Sequence, residues 1–415
     1  MSPSLSNSFP EYTDFDPLVP TWCVTPDATG FIHRFFDTSP ISPSGRFLAL
    51  TRFPFEDQLP KPGDLATIVV VDLRTGNHRI IAETRGWDTQ LGAQVQWGSD
   101  DASLFFNDVD PKSWHPFSIR ADPISGRFKK LDGPVYMVSP DGNHLASPCL
   151  LRTVRAQTGY GIIAPPEEIP RNKGASTSDG IFITDTVTGK KKLLVSNAEI
   201  FEAAIPAFSK DKYAEGDFYG FHVKWNPQGT RLLFVFRWCP HDKTRPLLNN
   251  VITLNRDGTH IRVALPDAIW SRGGHHPNWH PNGDEITMNL KLNRERLSLV
   301  SVRYDGENLR AFSDTIPGSG HPTLHPDARH MVTDVYAHEA LAFGDGTTPI
   351  RWIDLKQNEE KELLRIRTRP DFSGPKKELR VDPHPAWDRN FTHITFNACP
   401  SGKRQVFISD LRNLL

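Results

Sequence analysis

Apolar residues along the chain fall in short runs separated by Pro, Gly, Asn and Asp. Arg46 to Arg52, Ala66 to Leu73 and His78 to Ala82 are three such runs, with Arg74-Thr75-Gly76-Asn77 turning the second into the third. Runs of this length between turn formers predict strands. A recurring phrase opens each set of strands. It reads Phe-His-Val-Lys-Trp-Asn-Pro-Gln-Gly at Phe221 to Gly229 and Gly-His-His-Pro-Asn-Trp-His-Pro-Asn-Gly at Gly274 to Gly283. It returns as Gly-His-Pro-Thr-Leu-His-Pro-Asp at Gly320 to Asp327 and as Asp-Pro-His-Pro-Ala-Trp-Asp-Arg-Asn at Asp382 to Asn390. Aligned on Trp225, Trp279, Leu324 and Trp387, the four copies share a histidine three residues earlier: His222, His276, His321 and His384.

Earlier units follow the same order with a weaker phrase. The first contains Thr38 to Gly45, the second runs from Ala93 through Trp97 to Phe106, and the third begins at Val135 and turns at Ser139-Pro140-Asp141-Gly142. Later strands of the second lie near Phe117 and Phe128, and those of the third are Gly180 to Asp185 and Lys190 to Val195. Units of four strands recurring every ~40–60 residues predict an all-β fold, a seven-bladed β-propeller, as a single domain over 1–415. The last unit ends after its third strand, Gln405 to Leu411. Thr21 to Val24, ahead of the first unit, is predicted to supply its fourth strand, which leaves no open edge. Two insertions interrupt the rhythm, Arg152 to Asp179 and Asn197 to Gly220, and long loops on a rigid scaffold usually carry function.

Composition narrows the partners. With 48 basic and 49 acidic residues, no basic field points to nucleic acid or to a membrane surface. No apolar run is long enough to span a bilayer, and Met1 to Pro17 shows no signal-peptide pattern. Localisation and oligomeric state are left open by these features. Cys23, Cys149, Cys239 and Cys399 are scattered without a Cys-x-x-Cys pair, which argues against a zinc ribbon and assigns no disulfide. One glycosylation triplet, Asn390-Phe391-Thr392, is present.

First strands of propeller blades line the central channel, so one alignment column is one height on the axis. The column holds His222, His276, His321 and His384, and in the earlier units Gln94, Thr38 and Val135. A lone histidine is usually a satisfied polar group. Four neutral imidazoles at one height offer lone pairs to a common centre, which predicts a divalent metal on His222, His276, His321 and His384, with Gln94 as an extra ligand. The competing reading is an anion held by partly protonated rings. Loops around the same mouth are expected to carry Arg52, Asn107, Arg152, Arg155, Arg237, His241, Lys291, Asp334, Tyr336 and Asn397, with Trp114-His115 and Tyr160 nearby. Such a basic, aromatic-rimmed cup suits an anionic oligosaccharide or polysaccharide built on uronic acid.

The Gly-His-His-Pro, Gly-His-Pro and Asp-Pro-His-Pro phrases resemble those of seven-bladed propeller polysaccharide lyases of the oligogalacturonate lyase type. The stretch His33-Arg34-Phe35-Phe36-Asp37-Thr38-Ser39-Pro40, with Pro43-Ser44-Gly45-Arg46, is more similar to the L-rhamnose-α-1,4-D-glucuronate lyase group. The first resemblance implies manganese on three histidines and a glutamine; zinc, calcium or another divalent ion is also compatible. It departs where oligogalacturonate lyases carry a histidine loop after a second strand, for here the chain reads Phe236-Arg237-Trp238-Cys239-Pro240-His241.

Elimination at a uronate needs its carboxylate neutralised, a base for the C5 proton and an acid for the leaving oxygen. Arg237 or the metal is expected to hold the carboxylate, His33, entering from the loop before the first blade, to act as base, and Tyr160, Tyr336 or His115 as acid. Arg34, Arg52, Arg152, Arg155 and His241 are expected to bind substrate. The expected activity is β-elimination at an L-rhamnose-α-1,4-D-glucuronate linkage. Oligogalacturonate lyase, a hydrolase of the rhamnosyl-glucuronate linkage and a non-catalytic binding propeller are the alternatives. No inward carboxylate pair of the hydrolytic kind is legible.

Overall fold

The computed structural model describes residues 5–293, 295–374 and 377–415. It contains seven antiparallel sheets of four strands each, the blades of a seven-bladed β-propeller. The innermost strands are Phe31–Ile32, Gln96–Trp97, Met137–Val138, Gly216–Trp225, Gly274–Trp279, Thr323–Leu324 and Ala386–Trp387. Thr21–Cys23 is the outermost strand of the seventh blade, with Thr21 opposite Ser409 and Cys23 opposite Phe407. The predicted closure is therefore the observed one. Trp22 and Val24 join Val406 and Ile408 in one buried apolar cluster with Phe31, so closure is packed as well as paired.

Position within a blade explains the burial. In blade 1 the third strand, Ala66–Asp72, has nearly every residue buried, whereas the outermost, His78–Thr84, is mostly exposed. A strand covered on both faces tolerates a continuous apolar run such as Ile68 to Val71. The tryptophans used to align the repeat have a structural task. The indole N–H of Trp97 donates to Pro40 O at 3.0 Å, that of Trp279 to Lys224 O at 3.0 Å and that of Trp387 to Thr323 O at 3.4 Å. Each ties a blade to the backbone of the blade before it.

Two expectations need correction. In the first blade the inner strand is Phe31–Ile32, the chain leaves the sheet after it, and a bridge from Ile41 to Leu48 marks its return. His33 therefore follows an inner strand directly, where a loop before the blade was expected. Asn107, Arg237 and Asn397, expected in loops, lie within the strands Leu104–Val109, Arg231–Pro240 and His393–Ala398. Each insertion carries a short helix, α1 (Leu150–Ala156) and α2 (Asn197–Ala203). The four cysteines are free thiols, and among the described residues no helix is long and apolar enough to cross a membrane.

The chain divides into two compact units. The first comprises the described residues of Met1–Asp108, Ile119–Lys129 and Ser319–Leu415, and the second comprises those of Val109–Ser118 and Lys130–Gly318.

Candidate functional site

The histidine column coincides with irregular backbone. Gln94, His276 and His384 adopt left-handed conformations, with φ of 58°, 61° and 52°, and Gly320 does so beside His321 at 56°. In two inner strands the register shifts, between Gly220 and Val223 and between His275 and Asn278, so His222 and His276 fall within bulges. Bulges and left-handed residues re-aim a side chain at a cost that regular strand would avoid.

In the first unit, His321, His384 and Asp382 are buried, and one donor atom from each lies within 4.8 Å of the others. The rings of His321 and His384 meet edge to face at 4.3 Å, and His33 lies against His384 at 6.4 Å. Asp334 fixes His321. Its carboxylate faces Nδ1 at 2.9 Å and accepts the His321 backbone N–H at 2.5 Å. Burial pushes the Asp334 carboxyl up, but His321 and its N–H outweigh it and leave the group below its ordinary value. Gly320 is needed here, because a Cβ would collide with Asp334. His384 has both ring nitrogens buried with no hydrogen bond. Burial, then the charges of His321, His33, Arg380 and Arg34, hold its pKa well below the usual histidine range, so the ring is neutral at pH 7. Burial likewise lowers His33 to about 4; its Nε2 lies 3.3 Å from Pro383 O, and its buried Nδ1 has no hydrogen bond. Asp382 accepts from Arg380 Nε at 2.8 Å and so enters with one oxygen engaged. Two imidazoles beside a carboxylate are a donor set that could hold one divalent ion.

Nearby predicted residues are already committed. Arg34 donates to Gln94 Oε1 at 2.7 Å and is ion-paired with Asp37 inside the protein. Tyr336 packs its ring 5.6 Å from His321. Arg52 lies over the Phe31 ring at 5.5 Å, at the end of its strand.

The second unit gathers a different set. Arg237 is buried with its guanidinium 3.6 Å from the centre of the Phe221 ring. It donates to Ala156 O at 3.2 Å and Gln157 Oε1 at 2.8 Å, both at the C-terminal end of α1. No carboxylate pairs with it among the described residues, and its buried Nε has no hydrogen bond. Burial lowers it to about 10, with Tyr160, Cys239 and Tyr136 near enough to oppose the shift, so it is cationic at neutral pH. Tyr160 packs on Phe221 at 5.1 Å and on His222 at 6.4 Å, and the Tyr136 hydroxyl is hydrogen-bonded to His222 Nδ1. Buried Arg237, Tyr160 and His222 are thus assembled together, with Tyr136 an addition that sequence reasoning missed.

Other expected residues of this unit have further partners. His276 Nδ1 lies 2.8 Å from Nδ1 of its neighbour His275. Arg152 donates to Cys149 Sγ at 3.2 Å, and Arg155 donates to Pro170 O at 3.0 Å. His241 is exposed beside Asp217 at 3.3 Å, and His115 is exposed with its Nε2 3.4 Å from Asp132 O.

No family model matches the chain, and no curated protein matches it. Solved structures do. The chain is similar to an oligogalacturonate lyase in complex with manganese, at 16% identity over 97% of this chain and 96% of that one, with a TM-score of 0.65. It is similar to an oligogalacturonate lyase from Vibrio parahaemolyticus at 14% identity, over 97% and 96% of the two chains, with a TM-score of 0.66. The β-propeller domain of the Trilobed protease from Pyrococcus furiosus matches at 12% identity, over 91% and 96%, with a TM-score of 0.50. At these identities the likeness carries the fold.

Proposed function

We propose that the protein is a lyase that opens a uronate-containing glycosidic linkage by β-elimination, with L-rhamnose-α-1,4-D-glucuronate as the linkage. The observation that carries the reading is Arg237, a buried guanidinium that lacks a carboxylate partner among the described residues. A buried cation without a counter-charge is costly, and a substrate carboxylate supplies one. Support comes from the fold shared with proteins described as oligogalacturonate lyases. The rhamnosyl-glucuronate substrate rests on the resemblance of His33 to Pro40.

In this reading Arg237 binds the uronate carboxylate and so acidifies C5–H. The hydrogen-bonded pair Tyr136 and His222 accepts the C5 proton: the phenol oxygen receives it while its own proton passes to His222 Nδ1. The C4–O bond breaks as the C4=C5 bond forms, and Tyr160 protonates the departing oxygen. Phe221 fixes the guanidinium plane by stacking. The base is thus assigned to Tyr136 and His222 in preference to His33, whose neighbours are metal donors.

His321, His384 and Asp382, with His33 beside them, fit a divalent cation, because His384 presents two buried nitrogens that no hydrogen bond uses. When bound, such an ion supplies a Lewis acid for an anionic oxygen. Manganese is the ion in complex with one structural neighbour, and the N/O donor set also suits zinc. Hydrolysis is disfavoured by the carboxylates of that cluster, since Asp334 is tied to His321 and Asp382 to Arg380.

The test is incubation with gum arabic and, separately, with oligogalacturonate, reading ultraviolet absorbance and released rhamnose. Rhamnose with new absorbance is expected from gum arabic. Absorbance only with oligogalacturonate replaces the substrate, rhamnose without absorbance replaces the lyase with a hydrolase, and silence with both favours a binding module.

A further inference from the structure

The turn after the inner strand of blade 6 carries a second group of donors. His325, Asp327 and His330 each offer one ligand atom, all within 4.8 Å of one another. His325 Nδ1 lies 3.1 Å from Asp327 Oδ2, and His330 Nδ1 lies 2.6 Å from the same oxygen. His325 stands four residues along the chain from His321, and its donor group shares no residue with the buried one.

The bond that closes the turn is made by backbone atoms. In blade 6 the turn is closed by His325 N–H donating to His330 O at 2.8 Å. The same backbone bond, at 2.8 Å, joins Ser139 to His144 and His280 to Glu285 in blades 3 and 5, where the three equivalent positions hold Ser, Asp, His and His, Asn, Glu. Blade 6 alone places two imidazoles around one carboxylate.

The donors are also held in place. Asp327 Oδ1 accepts the backbone N–H groups of Arg329 at 2.8 Å and His330 at 3.0 Å, which turns Oδ2 toward the rings. The His330 ring stacks on Trp352 at 4.8 Å, and the His325 ring meets Trp387 edge-on at 5.2 Å. His325 then poses a conflict. Its Nδ1 lies 3.3 Å from the Asp327 N and 3.1 Å from Asp327 Oδ2, and in the tautomer whose Nδ1 accepts that N–H the lone pair also faces the carboxylate oxygen. A lone pair facing a carboxylate oxygen is relieved by a cation between them.

We propose that His325, Asp327 and His330 form a second divalent transition-metal site, of the zinc type, in the turn of blade 6. Two imidazoles and a carboxylate are three protein ligands of that kind, and the partial exposure of Asp327 (35%) leaves room for water as a fourth. Its effect is to cross-link the turn and not to act on sugar.

The experiment is Co(II) titration of the His384→Ala protein, from which the buried donor group has been removed, read by visible d–d absorption and equilibrium dialysis. One bound Co(II) is expected. Adding His325→Ala, or Asp327→Asn, is expected to weaken it by at least about 100-fold, since even an outer partner is worth 10–100-fold. In an otherwise wild-type chain each of these substitutions should lower the number of bound ions by one, which keeps the test usable if His384→Ala misfolds. Absence of Co(II) binding in His384→Ala protein that is folded by circular dichroism overturns the proposal. So does binding that survives both His325→Ala and Asp327→Asn.

Discussion

His321 and His222 occupy the same column of the repeat, and their neighbours make them different groups. The Nδ1 of His321 faces the buried carboxylate of Asp334, whereas that of His222 is hydrogen-bonded to the hydroxyl of Tyr136. Around His321 the first unit collects His384, Asp382 and His33, and His384 has ring nitrogens that no hydrogen bond uses. Around His222 the second unit collects Tyr160 and Arg237, a buried cation with no acid among the described residues. The first set is suited to a cation and the second to an anion. A repeat position fixes where a side chain emerges; the residues contributed by neighbouring strands and insertions fix what it can do.

That contrast can be broken most sharply at the phenols. Tyr160→Phe should lower kcat by about 10²–10⁴, the range for losing a general acid, with KM little changed, and Tyr136→Phe should act similarly. Steady-state kinetics decide it, and a pure KM effect would remove Tyr160 from the chemistry. Arg237→Ala should lower kcat/KM by about 10²–10³, through weaker binding as well as slower turnover, because the carboxylate is held before and during reaction. Loss of turnover with unchanged affinity for the uronate would contradict that role.

On the other side of the comparison, Asp334→Asn should leave the sheet intact and weaken binding of Mn(II) or Zn(II) by about 10–100-fold, as expected when the group orienting a ligand imidazole is altered. Calorimetric titration of the metal-free protein measures this directly. The smallest effect is a pH dependence. Arg237 is lowered to about 10, so kcat/KM should hold to about pH 9 and decline as the guanidinium loses its proton above that value. At pH 11 the loss should be about tenfold, one unit beyond the pKa of the free enzyme's group. An Arg237 that behaved like an exposed arginine would show no such decline.

The blades were legible because short apolar runs, glycine turns and buried tryptophans repeat at sequence level, and because the ring closes with a segment, Thr21–Cys23, that the last unit visibly lacks. Pairs within the candidate sites were legible only in part. His222 was named from the phrase, Tyr160 from an insertion and Arg237 from the position after a second strand, and the fold does bring them together. Tyr136 was missed because Val135 was read as its unit's column residue. Asp382 was missed although it stands two residues before His384 in the quoted phrase, since the column selected histidines alone. Asp334 was seen as one more polar loop residue; its pairing with His321 depends on Gly320 leaving space, which only coordinates reveal. The left-handed backbone at Gln94, His276 and His384 had no sequence mark, because none of the three is glycine.

The central claim is elimination at a carboxylate held by Arg237, and reaction in water enriched in ¹⁸O tests it most directly. The rhamnosyl-glucuronate substrate and oligogalacturonate are each incubated with the wild-type protein, and the products are weighed by mass spectrometry. The account predicts an unsaturated uronate lighter than the hydrolysis product by one water, with no ¹⁸O incorporated, and its loss in Arg237→Ala. One ¹⁸O per cleaved linkage, or an undiminished yield from Arg237→Ala, would contradict it.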